Sequence, residues 1–585
     1  MTNTATSIPS FLPTKVGDES LSLLSVPREG IEYLAHQEEG VRWMLGREDA
    51  GAAICRGGIL ADDMGLGKTF QTIGLIKNTV GGADGVRTLI VCPPALMAGW
   101  TEELRACGFF VSFLKSVTKW LGDAEKPAGA GPTVWLTTYP KADSYRKCRL
   151  GSLRGEAKYF WDRIVLDEGH AIRNGKACSR WWAALAFAKY AERRWILSAT
   201  PVQNGVRDWE NLCMFLHCRG VKRGNYMEVG AAIMLRRTMA ELRGVIAELP
   251  PPPRFITHDL SIPEGGQEER LFRALCDQLQ SAVESKAMSA LIKLELYMRI
   301  QQFLVHPQIY IEAMRNKFKG AYPRPDWTGS ATKWSAAMEQ LEISVQDKVP
   351  TIVFCNFRTE MDKVAAAALS MGAKVWSVRG GMTTEAVGQA VNEARAAAEA
   401  TGEKEPVVFV CQIVSGGVGL NLQFCQRILF LSQHWNPAVV HQAVGRAVRI
   451  RQKAVVDVHM FRVVDDVMDN LDRRMVQIHL RKIAAAKEVC LSLYEGYAPL
   501  REEAFGVPLE EGAITDHGVG GFGVPLEEGA ITDRVAGGFG VPLEEGAITD
   551  HGVGGFPVSR TDMVEAEIVD KDALSDAEED PVSPV

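Results

Sequence analysis

The chain has few of the features that mark secreted, membrane-spanning or zinc-binding proteins. No two of its twelve cysteines are spaced as CxxC, and the shortest spacing joins Cys213 and Cys218. This argues against zinc fingers and RING modules, which commonly have such pairs, and scattered thiols favour a reducing compartment. No uncharged apolar run approaches the roughly 18–20 residues that span a bilayer, and the N-terminus lacks the regions of a signal peptide. These absences predict a soluble intracellular protein with no membrane partner.

The charge of the chain is unevenly distributed. The net charge of −7 is unfavourable for a nucleic-acid-binding protein. From Phe505 to the end, however, 18 Asp and Glu residues face 3 Lys and Arg residues, a net charge of −15. Subtracting this value from −7 leaves +8 on residues 1–504. An acidic tail therefore masks a mildly basic body, and the charge of the body is compatible with DNA binding.

The pattern along the chain predicts an α/β protein with two lobes. Residues 1–30 form a flexible leader, whereas in 31–250 and 348–485 short apolar runs alternate with helical stretches, as in parallel strands joined by crossover helices. Segment 251–347 is predicted to be a helical insertion or hinge, and 486–504 a linker helix. The predicted strands are Thr88–Cys92, Thr133–Thr137, Arg163–Leu166, Arg194–Leu197, Thr351–Cys355, Val407–Cys411, Ile428–Leu431 and Val455–Met460.

Three repeats of 17 residues follow the second lobe. They occupy 505–521, 522–538 and 539–555, and each combines FGVPLEEGAITD with a glycine-rich pentapeptide. Their glycine content and acidity favour disorder over a stacked repeat array. Residues 556–585 are predicted to be an acidic disordered tail, and the repeats to bind a protein partner of unknown identity.

The sequence GGILADDMGLGKT is typical of a phosphate-binding loop between a strand and a helix. Gly65 and Gly67 let backbone N–H groups approach phosphates, and the positive end of the following helix strengthens the anion site. Lys68 is predicted to reach the β- and γ-phosphates of ATP, and Thr69 to bind Mg²⁺. The first glycine of the strict motif is replaced by Asp62.

A pair of carboxylates follows the predicted strand in RIVLDEGH. The strand places Asp167 and Glu168 at the carboxyl edge of a parallel sheet, where such folds bind ligands. Asp167 is predicted to hold Mg²⁺, and Glu168 to orient and activate the attacking water. An isolated pair more often begins a solvated loop, but the GKT about one hundred residues upstream favours the catalytic interpretation.

Together these motifs resemble those of SWI/SNF-type ATPases of helicase superfamily two. GGILADDMGLGKT, VLDEGH and WNPAVVHQAVGRAVRIRQ carry the likeness, some ten motifs occur in order over residues 31–480, and the family has Asp at the position of Asp62. The resemblance implies two tandem RecA-like lobes. It is nearest to the branch of helicase-like transcription factor and the RNA polymerase II termination factor. Members of that branch with ubiquitin-ligase activity carry a RING, so ligase activity is not implied here.

The resemblance also implies roles for individual residues. It implies ATP contacts at Gln37, Asp63, Met64, Gly65, Leu66, Gly67, Lys68, Thr69, Gly419 and Gln442. It implies DNA phosphate contacts at Thr137, Thr138, Ser415 and Gly416, largely independent of base sequence. Arg446 and Arg449 are three residues apart, so one helical face is predicted to present both as arginine fingers across the cleft.

The chain departs from the family pattern at several positions. Gly169 replaces the usual alanine of DEAH, Ser198 begins SAT where Thr-Gly is frequent, and Val448 and Arg451 replace a frequent His and Gly. These departures bear on the rate of ATP hydrolysis and on its coupling to lobe movement more than on the basic chemistry of hydrolysis.

Other aromatic and imidazole side chains receive structural interpretations. Trp100 and Trp435 are predicted to be packing residues rather than base-stacking platforms, because neither lies in a basic aromatic cluster. His434, His441 and His459 lack metal-ligand spacing with cysteine and are predicted to be structural.

The motifs favour a DNA-dependent ATPase that translocates on double-stranded DNA and remodels or displaces bound protein, nucleosomes included. A strand-separating helicase is one alternative. A scaffold that recruits partners through its repeats, with a vestigial ATP site, is another. A nuclear location follows from the family likeness alone, since the sequence has no strong basic localisation cluster.

Overall fold

The computed structural model describes most of the chain between residues 24 and 500. The described residues are 24–49, 54–79, 86–113, 132–147, 161–189, 191–285, 287–400, 404–416, 420–450, 452–464 and 471–490, with 493, 494, 497 and 500. The predictions for residues 1–23, for the repeats and for the acidic tail fall outside these ranges. Within them, no helix combines the length and the apolar character needed to cross a membrane.

The first lobe is a parallel sheet with helices on both faces. Its strands are β1 Gly57–Leu60, β2 Thr88–Cys92, β3 Phe110–Phe113, β4 Thr133–Thr138, β5 Trp161–Asp167, β6 Ala191–Leu197 and β7 Met234–Leu235. They lie in the order β3-β4-β2-β5-β6-β1-β7. The helices are α1 Ala35–Asp49, α2 Lys68–Asn78, α3 Met97–Ala106, α4 Tyr139–Lys147, α5 Ser179–Ala188, α6 Val206–Phe215, α7 Tyr226–Ile233 and α8 Met239–Leu242.

The second lobe repeats this plan. Its strands are β8 Arg254–Leu260, β9 Thr351–Cys355, β10 Lys374–Val378, β11 Val407–Gln412, β12 Arg427–Phe430 and β13 Asp457–Val463, in the parallel order β10-β11-β9-β12-β13-β8. The helices between and after these strands are α9 Gln267–Glu284, α10 Ala290–Val305, α11 Pro307–Lys317, α12 Thr332–Gln346, α13 Arg358–Ser370, α14 Thr384–Ala398, α15 Ile413–Gly416, α16 Pro437–Val444 and α17 Leu471–Lys487.

Each sheet is buried on both faces because adjacent residues of a strand point to opposite sides. In the first lobe, Ile59 and Ile164 belong to one apolar core, whereas their neighbours Leu60 and Val165 belong to the core on the other face. The second sheet is also covered on both faces by apolar clusters. This double burial explains why the predicted strands are continuous apolar runs without alternation.

The eight strands predicted from apolar runs are all present, with bounds that differ by at most three residues. The strands β3, β7, β8 and β10 were not predicted. They are short or lie at a sheet edge, and β8 (RFITHDL) is largely polar. Their sequences therefore lack the continuous apolar run that is typical of a strand buried on both faces.

Two segments differ from their predicted setting. The segment 251–347, predicted as a helical insertion, begins with β8, which pairs in parallel with β13 in the second sheet. Its last helix, α12, packs its Leu341 in the core of that sheet, which Val305 of α10 and Ile309 of α11 also join. Other apolar residues of α9, α10 and α11 form a separate cluster. The second segment is the predicted leader, in which Ser25 is attached to the first lobe. Its backbone N donates to Asn78 Oδ1 of α2 at 2.8 Å.

A buried ion pair joins α1 to the first sheet. Arg163 on β5 donates through Nε and Nη2 to both carboxylate oxygens of Glu48 on α1, at 2.6 and 2.5 Å. The indole Nε1 of Trp195 on β6 donates to the same carboxylate at 2.8 Å, and Arg163 Nη1 donates to the Thr88 hydroxyl on β2. Both charged side chains are at most 1% exposed. The pair therefore ties α1 to three strands of the sheet.

Removing one member of this pair should destabilise the first lobe. Arg163→Met leaves the Glu48 carboxylate buried and without its principal partner, which is expected to lower the free energy of unfolding by about 3–5 kcal/mol. Denaturant unfolding followed by tryptophan fluorescence measures the effect. The double variant Arg163→Met with Glu48→Gln should recover part of the loss, and a single variant as stable as wild type would contradict this role.

Candidate active site

The turn between β1 and α2 has the geometry of a phosphate-binding loop. Gly65 and Gly67 have φ angles of 84° and 83°, in the left-handed region that glycine tolerates best. Lys68 Nζ donates to the backbone carbonyls of Asp62 and Asp63, at 2.7 and 3.1 Å. The pKa of Lys68 is lowered by burial. The lysine therefore sits inside its own loop, where phosphate oxygens would offer stronger partners than carbonyls.

Asp62, which replaces the first glycine of the strict motif, holds the loop in place. Its carboxylate accepts four hydrogen bonds, from Arg237 N, Nε and Nη2 and from Gln71 Nε2, at 2.7 to 3.1 Å. Arg237 follows β7, and Asp62 has no exposed surface. A glycine at this position would remove every one of these contacts, which explains why an aspartate fits here.

Asp63 and Gln37, both predicted to contact ATP, are engaged with the protein in this arrangement. Asp63 accepts from Arg236 Nη2 at 2.5 Å and from Met239 N at 2.9 Å. Burial would raise the pKa of Asp63, but the charge of Arg236 outweighs it and the pKa is lowered. Gln37 Nε2 donates to Leu66 O at 3.3 Å, so Gln37 does lie against the loop. Its contact with adenine remains a prediction.

The acidic pair lies at the carboxyl end of β5, as predicted. Asp167 Oδ2 accepts a hydrogen bond of 2.7 Å from Trp100 Nε1, and its Oδ1 accepts from Glu168 N at 3.0 Å. Burial, together with the negative charge of Glu168, raises the pKa of Asp167. Trp100 is buried, as predicted, but no local pattern indicates that its indole orients the carboxylate of Asp167.

Glu168 has an unusual backbone and an unsatisfied side chain. Its φ of 49° lies in the left-handed region, which is uncommon for a residue with a side chain and often marks a functional site. Among the described residues, no group donates a hydrogen bond to its buried Oε2, although His170 Nδ1 lies 3.3 Å away. Burial would raise the pKa of Glu168, but the His170 ring and the charges of Arg446 and Lys68 lower it. An ionised carboxylate with a vacant acceptor suits the activation of water.

Gly169, the departure from DEAH, is required by its surroundings. A Cβ at this position would lie 2.6 Å from Ile196 Cγ2 on the neighbouring strand β6 and 3.4 Å from Leu166 Cβ. The first distance is shorter than a van der Waals contact. The alanine usual in the family would therefore collide with Ile196 here.

The segment Ser198–Asn204, which follows β6, connects the acidic pair to the second lobe. Ser198 Oγ lies 3.1 Å from His170 Nδ1, next to Glu168. Two residues further on, Thr200 Oγ1 accepts from Gln442 Nε2 at 3.2 Å. Gln203 Oε1 accepts from Asn436 Nδ2 at 2.8 Å. Hydrogen bonds between buried side chains thus link this segment to the second lobe directly.

Arg446 and Arg449 lie at the site but not on a helix, which corrects the prediction of one helical face. α16 ends at Val444, Arg446 lies in the turn that follows, and Arg449 lies in the irregular segment after that turn. Arg446 is buried, and burial lowers its pKa while the Glu168 and Asp167 carboxylates oppose the shift. Arg449 donates to Gly445 O and Leu420 O of its own lobe, and burial and the charge of Arg446 lower its pKa to about 9.

The two halves of the site touch at the phosphate-binding loop. A Cβ at Gly65 would lie 3.3 Å from Arg449 Cα, and a Cβ at Gly445 would lie 3.0 Å from Met64 Cβ. Both glycines therefore permit close approach of the arginine turns to the loop. The sequence motifs placed these segments in one site, and the structure brings them into contact.

The residues predicted to bind DNA are less well placed. Thr137 and Thr138 are 0% and 7% exposed, and the Thr137 hydroxyl is a buried atom that this structure does not present to a phosphate. Ser415 and Gly416 lie in α15, and Gly419, predicted to contact ATP, is outside the described residues.

His434 accepts from Asn436 N through Nδ1, consistent with a structural role. Across the described ranges, no group of three or more His, Cys, Asp or Glu side chains could hold a metal ion.

Comparisons with known proteins agree with these motifs. The SNF2-related domain family matches residues 36–252, and the helicase conserved C-terminal domain family matches residues 332–451. The chain is 28% identical over 475 residues to the "Probable global transactivator" of Orgyia pseudotsugata multicapsid polyhedrosis virus, covering 78% of this chain and 91% of that protein. It is 26% identical over 486 residues to the mouse "Chromodomain-helicase-DNA-binding protein 1-like", covering 77% of this chain and about half, 49%, of that protein.

Among solved structures, the "Sulfolobus solfataricus SWI2/SNF2 ATPase core in complex with dsDNA" shares 20% identity, with coverage of 82% of this chain and 99% of that one. The TM-score is 0.32, so the fold assignment rests on the two sheets themselves. The two domain families, matched in order on two parallel-sheet lobes, place the chain in the SWI/SNF-type, helicase-like ATPases of helicase superfamily two. It is an ATP hydrolase.

The fit of Gly169 against Ile196 can be tested by substitution. Gly169→Ala should displace Glu168 and lower kcat for ATP hydrolysis by about 10- to 100-fold, the effect of a misplacement on the ångström scale. Steady-state phosphate release measures this change.

Two further variants make this test specific. Gly99→Ala is the matched control, because a Cβ there meets nothing within 4 Å, and its activity should equal that of wild type. Adding Ile196→Ala to Gly169→Ala removes the colliding methyl group and should restore kcat, although it lowers stability by about 2–5 kcal/mol. Wild-type kcat in Gly169→Ala would refute the collision.

Proposed function

We propose that this protein is a DNA-dependent ATPase that translocates along double-stranded DNA and displaces or remodels bound protein. One observation carries the proposal. The segment Ser198–Asn204 touches His170 beside the acidic pair at one end, and through Thr200 and Gln203 it is bonded to the second lobe. A change at the γ-phosphate is thereby connected to the relative position of the lobes, which is what a motor requires.

The residues of the first lobe suit an in-line attack of water on the γ-phosphate. Lys68 exchanges its loop carbonyls for β- and γ-phosphate oxygens, and the vacant Oε2 of Glu168 accepts a proton from the attacking water. Thr69 and Asp167 are the residues that would hold Mg²⁺, which would neutralise charge on the phosphates. A hydroxyl and one carboxylate fit this ion, because Mg²⁺ keeps several waters and binds phosphates as well. Arg446 and Arg449 stabilise the transition state from the second lobe.

The DNA role is supported by the family and by the charge of the body. The mouse relative is named as a helicase and DNA-binding protein, and residues 1–504 of this chain carry a net charge of +8. Contacts are made mainly with phosphates, and Ser415 and Gly416 are the positions we propose in the second lobe. Nucleosomes or other DNA-bound proteins as substrates, a protein partner for the repeats and a nuclear location belong to the same proposal.

Phosphate release with and without duplex DNA tests the ATPase part. DNA should stimulate the wild-type rate, whereas Glu168→Gln should lower kcat about 10²–10⁴-fold through loss of the general base, and Lys68→Ala should remove stimulation. The control Glu102→Gln makes the same chemical change on the exposed face of α3 and should behave as wild type. A wild-type protein that DNA does not stimulate would favour the scaffold alternative.

Displacement assays distinguish translocation from strand separation. The protein should release the third strand of a triplex in an ATP-dependent reaction, because a translocase moving on the duplex removes whatever lies in its path. It should leave a plain duplex with a labelled strand intact. Efficient release of the duplex strand would support the strand-separating helicase instead.

A further inference from the structure

α17 lies outside both matched domain families, neither of which extends past residue 451, yet it packs with both lobes. Its Ile483 belongs to the apolar core of the second lobe. Ala486, one turn later, and Val489 and Leu493 belong to the core of the first lobe. The approach is close, because a Cβ at Gly230 of α7 would lie 2.7 Å from the Val489 carbonyl oxygen.

Lys482 forms the polar contact of α17 with both lobes. Its Nζ donates to Asn204 Oδ1 in the first lobe at 2.9 Å and lies 3.9 Å from the centroid of the Trp435 ring in the second. The side chain is only 9% exposed, and a cation on a tryptophan face is attracted more strongly when water is excluded. Three residues earlier, His479 Nε2 lies 2.6 Å from His434 O, next to Trp435. Lys482 is therefore held at a defined position between the lobes.

The first-lobe partner of Lys482 belongs to the segment that couples the lobes. Asn204 is the last residue of Ser198–Asn204, whose Thr200 and Gln203 accept hydrogen bonds from the second lobe. The Lys482 contact is a further hydrogen bond from this segment across the lobes, and it is made by a charged group. Charge-assisted hydrogen bonds are about twice as strong as neutral ones.

We propose that α17 with Val489 and Leu493 is an interlobe strap, and that Lys482 is a positioning residue that holds Ser198–Asn204 in the closed arrangement needed for hydrolysis. The strap adds to the free energy of closure without contacting the nucleotide. Its loss therefore lowers kcat and leaves the binding of ATP to the first lobe largely unchanged. The inference rests on ATP hydrolysis and holds whether or not the protein translocates.

Kinetics of full-length variants test the strap. Lys482→Met keeps the aliphatic stem and removes the charge, and it should lower kcat about tenfold with less than a twofold change in KM for ATP. Lys482→Arg keeps the charge and should recover most of the rate. Arg481→Met removes a positive charge from the neighbouring exposed position of α17 and should match wild type in kcat and melting temperature.

A double-mutant cycle assigns the effect to the contact with Asn204. Asn204→Ala should lower kcat, and the double variant with Lys482→Met should be no slower than the slower single variant, because both changes remove one bond. Multiplicative effects, an unchanged kcat in Lys482→Met, or equal loss in Arg481→Met would overturn the proposal. The cycle is run with and without duplex DNA. If DNA does not stimulate the wild type, the proposed DNA-dependent function is contradicted. The result of the double-mutant cycle, with or without DNA, tests the strap proposal separately.

Discussion

The ATP site depends on the paired charges that fix the phosphate-binding loop against the end of the first lobe. Asp62 and Arg237 meet in a buried, bidentate contact, and the adjacent Asp63 and Arg236 form a second ion pair beside it. Because Arg236 and Arg237 directly follow β7, the loop is attached to the point where the chain leaves the first lobe. A movement of Arg236 and Arg237 would therefore move the phosphate-binding loop. Nucleotide binding is in this way coupled to the position of the chain that leaves the first lobe.

Charge is distributed across the cleft in a way that suits a polyanion. Lys68, Arg446 and Arg449 converge from two lobes, and burial lowers the pKa of each. Glu168 and Asp167 oppose these positive charges, and Asp62 and Asp63 act on Lys68 as well while they are paired with Arg237 and Arg236. Buried cations without enough counter-charge are unfavourable, and bound phosphates would supply the missing charge. The closed arrangement is therefore expected to be most stable when the site holds a nucleotide.

Sequence patterns predicted those parts of the molecule that depend on local chemistry. The glycines and lysine of the loop, the carboxylates after β5 and the doubly buried strands all have signals within a few neighbouring residues. Long-range contacts carry no such signal. Trp100 is predicted to be a packing residue because it lies in no basic aromatic cluster, and its hydrogen bond to Asp167, 67 positions away, leaves no local signal. Lys482 belongs to no motif although it contacts Asn204. The arginine spacing suggested a helix, but α16 ends before either arginine, and the turns that replace it bring them close to the loop.

The contact between Gly169 and Ile196 has an evolutionary consequence. In a lineage that carries isoleucine at 196, alanine at 169 is blocked, whereas glycine at 169 accepts either a large or a small neighbour. With this backbone, alanine at 169 needs a residue smaller than isoleucine at 196. The two positions are therefore coupled by geometry, and a change to alanine at 169 is tolerated only once position 196 has changed.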